Sequence, residues 1–204
     1  MKSIVYVFIV AFSFAAGTAA AEWQPAQVPG KLDVTGQVWL RAWVKVHDSF
    51  FSRHERNLFE ESVGFYVRDL AGAHEVWVNG VMFGTGGAFP PNYQPAGGEL
   101  FRHKVPVGTL KKGQWNEIAI RTYQPAGPSG FLGDAPFIMN YFLECVLEGQ
   151  WELLASGDYQ PGGAVEQKPP RAAFDSFHES HRVLGRTEQV HGPSLPPKES
   201  AAQM

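Results

Sequence analysis

EVWVNGVMFG, residues 75–84, decides the fold. Two short runs of β-branched and aromatic residues flank Asn79-Gly80. A two-residue turn needs φ > 0 at both central positions, and Asn followed by Gly takes it with little strain. The stretch predicts a β-hairpin. Upstream, QVWLRAWVKVH (37–47) alternates: Leu40, Ala42, Val44 and Val46 share one face, Trp39, Arg41, Trp43 and Lys45 the other. Period 2 with this composition reads as a half-buried strand. SVGFYVRD (62–69) repeats the pattern with Val63, Phe65 and Val67. Downstream, LFRHKVPV (100–107) and WNEIAIRTY (115–123) read as strands. In the second, Ile118, Ile120 and Thr122 oppose Glu117, Ala119, Arg121 and Tyr123. FIMNYFLECVLEG (137–149) is long enough for a helix. Its Tyr141, Leu143, Cys145 and Leu147 nevertheless alternate with Phe142, Glu144 and Val146, which favours a closing strand. No long amphipathic helix interrupts residues 37–150, and six to eight short strands are separated by turn signals. The expectation is an all-β chain, an antiparallel jelly-roll β-sandwich with a mostly irregular C-terminal tail, rather than βαβ winding.

Composition narrows the function classes. The 204 residues carry 17 Lys+Arg against 20 Asp+Glu, a net charge of -3, which rules out a polybasic nucleic-acid binder as the default, because phosphate neutralisation needs clustered positive charge. A hydrophobic fraction of 44% is enough for a core. The single cysteine, Cys145, excludes an intramolecular disulfide and a cysteine metal cluster; its apolar setting makes it a core residue.

Residues 1–21 read as an export signal. Lys2 begins it, residues 4–16 are apolar apart from Ser13, and Ala19-Ala20-Ala21 offers a cleavage site before Glu22. The mature chain is therefore expected to be secreted or periplasmic, with no membrane attachment after cleavage. A body over 22–157 is followed by a flexible, Pro-containing tail or linker over 158–204. Within that tail, 171–185 suggests one short helix, with Phe174, Phe177, His181 and Leu184 on a face.

Two loops stand apart. TGGAFPPNYQPAGGE (85–99) holds four Gly and three Pro, and QPAGPSGFLGDAP (124–136) holds three of each. Such composition cannot continue a ladder, and loops of this length are usually functional or disordered. Their embedded Phe89, Tyr93 and Phe131 argue for order.

The order of these segments resembles a known family. LAGAHEVWVNGVMFGTGGAFP (70–90) followed by LFRHKVPVGTLKKGQWNEIAIRTY (100–123) and a Gly-rich loop is similar to the galactose-binding-domain-like jelly roll. It looks closest to the sugar-binding domain of glycoside hydrolase family 2 enzymes, and similar to domains in sialate O-acetylesterases. Trp39-Leu40-Arg41 matches that family's opening strand, Val76–Gly80 its strand ending in Asn-Gly, and Leu110–Arg121 its later Lys-Gly-Asn-Ile-Ala-Ile-Arg-like segment. The likeness covers residues 30–150 and implies a sugar-binding, non-catalytic unit; the family's catalytic unit is a separate barrel. His74 stands where members often carry Asp, so no carboxylate role transfers there. A second resemblance lies in LEGQWELLASGDYQP (147–161) and GPSLPPKESAAQM (192–204). It looks like the junction, in large exported planctomycete-type proteins, between a jelly roll and a haem-binding dehydrogenase module. That resemblance implies an N-terminal accessory piece whose partner is a downstream module or another exported protein.

A sugar presents apolar CH faces and hydroxyl edges, so its site needs an aromatic platform and a few fixed polar groups. Phe89, Asn92 and Tyr93 in the first loop and Phe131 and Asp134 in the second are the candidates, with Arg121 and Tyr123 on the strand feeding the second loop. The bland alternative is that the phenylalanines plug the sandwich ends and Arg121 pairs with a carboxylate or stacks on an aromatic ring. Trp39, Trp43 and Trp77 read as sheet-packing residues. No metal or cofactor is expected. His178, Glu179 and His181 are not H-E-x-x-H, because Arg182 stands where the second histidine would be, and His191 lies beyond them in the same polar tail. A structural Ca²⁺ near Asp134 would need six or more oxygens, and nearby carboxylates are few. No catalytic residues are nominated: Glu144, Glu148 and Glu152 do not align as an acid pair, and no nucleophile elbow, Walker loop or dinucleotide fingerprint is present. The leading expectation is carbohydrate binding; the alternatives are a structural or protein-interaction accessory domain and a small glycoside or ester hydrolase.

Overall fold

The computed structural model describes residues 22–46, 48–51, 63–98, 100–140, 143–155, 158–175 and 181–183. The expected export signal, His178, Glu179 and the terminal segment 192–204 lie outside the described residues. In chain order the strands are β1 (Gln24–Val28), β2 (Gly30–Leu32), β3 (Gly36–Lys45), β4 (Gly64–Val67), β5 (Ala73–Val78), β6 (Val81–Gly86) and β7 (Phe101–Lys104). They continue as β8 (Asn116–Gln124), β9 (Ser129–Phe131), β10 (Phe137–Met139), β11 (Leu143–Val146), β12 (Gly149–Leu154), β13 (Ala173–Asp175) and β14 (His181–Val183). A 3-10 turn, Asp48–Phe51, follows β3.

Seven strands build the larger sheet in the order β1-β12-β3-β8-β5-β6, with β13 also paired to β3. Five build the smaller one, β14-β11-β10-β4-β7, and β2 with β9 makes a ribbon. Only the β13–β3 pairing is parallel among the described strands. One core joins the two sheets. Leu40, Val44, Ile118 and Ile120 from the larger meet Phe65, Ile138 and Cys145 from the smaller, and all seven are fully buried. The chain is thus an antiparallel jelly-roll β-sandwich, and the alternation in 37–47 and 115–123 points its apolar faces inward as expected.

The predicted hairpin closes at Asn79 (φ 48) and Gly80 (φ 81). The Asn79 side chain is used a second time: its amide donates to Thr109 O (2.7 Å) and Asn116 Oδ1 (2.8 Å), and its Oδ1 accepts from Glu117 N (2.9 Å).

Three expectations are corrected. The run 137–149 is not one strand but the hairpin β10–β11. Asn140 breaks it, its N–H donating to Leu143 O (2.9 Å) while its Oδ1 accepts from Leu143 N (2.7 Å). The short helix expected over 171–185 gives way, in its described parts, to β13 and β14, with Phe174 and Ala172 drawn into the core beside Trp151; residues 176–180 and 184–185, with Phe177 and Leu184, lie outside the described residues. The packed body does not end at residue 157: Tyr159 joins an aromatic cluster and Val165 exchanges two backbone hydrogen bonds with Trp115 (2.8 and 2.9 Å).

Inside the sandwich, His74 of β5 and His103 of β7 bridge the two sheets, with one Nε2 donating to the other at 3.3 Å. Both rings are buried. Burial, then the neighbouring His103, pushes His74 down to about 4, and burial lowers His103. Both imidazoles are therefore neutral at neutral pH. Burial, then Asp175 and Glu144, pushes the Cys145 thiol up to about 12, so it is no nucleophile.

Candidate functional site

The two Gly/Pro-rich loops converge at one end of the sandwich. Between them opens a pocket of about 680 Å³. Tyr93, Pro95, Gly97 and Gly98 come from the first loop, Gln124, Pro125, Ala126, Leu132 and Gly133 from the second. The third wall is Asp69–Gly72, the connector between β4 and β5. Backbone hydrogen bonds tie that connector to both loops: Ala96 N to Gly72 O (2.9 Å), Ala71 N to Gly130 O (3.0 Å) and Leu132 N to Asp69 O (2.9 Å).

Local sequence explains the close approach. Gly72 sits at φ 84, and a Cβ there would lie 2.1 Å from Tyr123 O. Asp69 holds φ 53, which a short polar side chain tolerates better than a branched one. Its carboxylate stands between two glycines: a Cβ on Gly98 would be 3.1 Å from Oδ1, and one on Gly133 2.3 Å from Oδ2. Across the pocket, Tyr93 OH donates to Gln124 Oε1 at 2.7 Å. Burial, then the Tyr123 phenol, raises the Tyr93 pKa, so the hydroxyl stays protonated and remains a donor. The site combines an aromatic ring, an amide, a half-buried carboxylate and apolar surface from Leu70, Leu132 and the prolines.

Of the residues nominated from the sequence, Tyr93 lines this pocket. Tyr123 packs directly behind it, ring centroids 5.3 Å apart, and Phe89 lies 6.2 Å from Tyr123. The Arg121 guanidinium covers the Phe89 ring at 4.4 Å and donates to Glu75 Oε1 at 2.7 Å. These four residues form one continuous cluster, with Arg121 already paired. Asn92 is exposed. Phe131 is corrected: it is 1% exposed and packs on Trp151 inside the core, so it cannot contact a ligand at a rim. Asp134 is exposed and accepts from Arg68 Nη1 at 3.0 Å. Sequence reasoning passed over Asp69, Gln124 and Leu132. The available signal for Asp69 was an acidic residue in a short Gly-containing connection between two strands.

A second polar cluster lies on the outer face of the larger sheet. Glu117 is buried and accepts from Tyr159 OH and from Gly162 N (2.5 Å). Arg41 donates to Glu152 Oε2 (2.7 Å) and to Tyr159 OH (3.3 Å). Burial, then the bond to Glu117, pushes the Tyr159 phenol up to about 12. Trp39, Trp23 and Tyr159 pack around these groups, with Arg41 stacked 3.9 Å over Trp23. Both carboxylates are occupied by neighbours, so the cluster fastens residues 159–162 to the sheet.

No family model and no curated protein matches the chain. Among solved structures it is similar to a β-glucuronidase of Ruminococcus gnavus, with 11% identity and a TM-score of 0.34. That match covers 60% of this chain and 20% of the other, so the chain spans about a fifth of that protein's length.

Proposed function

We propose that the chain is a non-catalytic carbohydrate-binding module of an exported protein and that the end pocket is its ligand site. One observation carries the reading: both Gly/Pro-rich loops and the Asp69–Gly72 connector close on a pocket that offers Tyr93, Gln124 and Asp69 beside apolar walls. An aromatic ring suits the CH face of a pyranose, while the amide and carboxylate suit its hydroxyls. Asp69 is the single acid among the described residues lining the pocket, whereas glycoside hydrolysis generally uses a pair. The open setting suits weak binding, because a shallow site buries little apolar area on association.

The test is a glycan array followed by titration of the best binder into the full chain and into Tyr93→Ala. The expected result is binding that weakens at least fivefold in the variant at unchanged unfolding midpoint. A flat array with an intact fold sinks the proposal and favours the scaffold role in a larger exported enzyme or haem protein. Turnover of chromogenic glycosides or acetyl esters would instead favour a hydrolase.

A further inference from the structure

We infer that the end pocket selects its sugar by charge through Asp69, taking an amine-bearing hexose ahead of a neutral one and rejecting a uronic acid. The inference rests on the sugar-binding reading above. Thirteen described residues line the pocket, and Asp69 is the only charged one. Two described arginines of this end of the sandwich are engaged elsewhere. Arg68, next in sequence, is paired with Asp134 at 3.0 Å. Arg121 is paired with Glu75 at 2.7 Å and covered by Phe89. No ion pair joins Asp69 to any described residue. The left-handed φ at residue 69 and the hydrogen bond from Leu132 N to Asp69 O set the backbone that presents the carboxylate, and its oxygens lie beside Gly98 and Gly133, where the absence of a Cβ leaves them space.

A half-buried carboxylate with no ion-pair partner among the described residues accepts a hydrogen bond from any sugar hydroxyl. From a protonated amine it accepts a charge-assisted bond, shorter and about twice as strong. An anionic sugar meets repulsion instead, and no cation among the described lining residues compensates. Because the pocket is open to water, screening reduces these effects to about tenfold in affinity in each direction.

The experiment titrates glucosamine, glucose and glucuronate into the full chain slightly below neutral pH, followed by NMR, for the natural protein and for Asp69→Asn. Asn tolerates the same left-handed backbone, so the variant is expected to fold. The expected order is glucosamine about tenfold tighter than glucose, with glucuronate about tenfold weaker. In Asp69→Asn the three converge to within about twofold, and added salt narrows the gap in the natural protein. Glucuronate binding as tightly as glucose, or an order unchanged in Asp69→Asn, overturns the charge selection while leaving sugar binding intact. Failure of all three sugars, together with a flat array, overturns the sugar reading and this inference with it.

Discussion

Gly86 has a neighbour that leaves no room for a methyl group. A Cβ there would stand 2.2 Å from Cε1 of His74, and the same addition at Gly84 would meet His103 Cγ at 2.3 Å. Small-to-large changes against a packed ring typically cost 1–3 kcal/mol. Gly86→Ala is therefore expected to lower stability by about 2 kcal/mol in urea unfolding, and His74→Ala is expected to absorb most of that loss when the two are combined. Additive losses would show that the ring is not what Gly86 accommodates. At this same scale the pocket was only half legible. Tyr93 stood out as an aromatic residue in a Gly/Pro-rich loop. Asp69 did not, because a single carboxylate between two strands looks like any turn residue until the chain brings residues 93–98 and 124–133 around it. Phe131 misled for a related reason. It sits on a strand of three residues whose partner, Gly30–Leu32, is remote in sequence, so no alternation marks it as core.

The bridge between β5 and β7 makes the sandwich sensitive to acid. His74 has a folded pKa of about 4, below the ordinary value of 6.5. Its contribution to stability is full above pH 6.5 and is lost as pH falls toward 4, because the unfolded chain binds the proton first. The loss is expected to reach roughly 3 kcal/mol, with His103 adding in the same direction. Replacing both rings, His74→Leu with His103→Leu, removes donor and acceptor together and should leave stability at pH 8 within about 1 kcal/mol. It should also flatten the urea midpoint between pH 6.5 and 4; an equally steep variant would place the acid sensitivity elsewhere. Elements were legible in proportion to their length. β3 and β8 pair over nine residues and alternate throughout, so the sequence pattern identifies them. β10 and β11 merge in the sequence because the alternation from Tyr141 onward abuts the apolar run 137–139, and the break at Asn140 shows only in its backbone and side-chain bonds to Leu143. Strands of three residues, such as β2, β9 and β13, are too short to show a period.

At the scale of the whole molecule, the Pro-containing tail looked separable in sequence because it is polar and unpatterned. The structure uses it as a cover. Tyr159 closes the aromatic cluster over Trp39, and Phe174 fills the core against Trp151. Phe174→Ala is expected to cost about 3–5 kcal/mol. Ending the chain after Gly157 should cost more and shift tryptophan emission to the red as Trp39 meets water. A truncated chain with an unchanged midpoint and spectrum would return residues 158–175 to the status of a linker.

The arrangement of the larger sheet also dictates a timetable. Its centre, β3, is synthesised early, yet its flanks are β8, β12 and β13, and β1 waits for β12. A ribosome must pass residue 120 before Leu40 gains its first neighbour there, and residue 175 before the parallel strand is complete. Pairings this distant are slow to form, because loop closure precedes any reward. The middle of the larger sheet is therefore obliged to wait, unpaired, until β8 has left the ribosome.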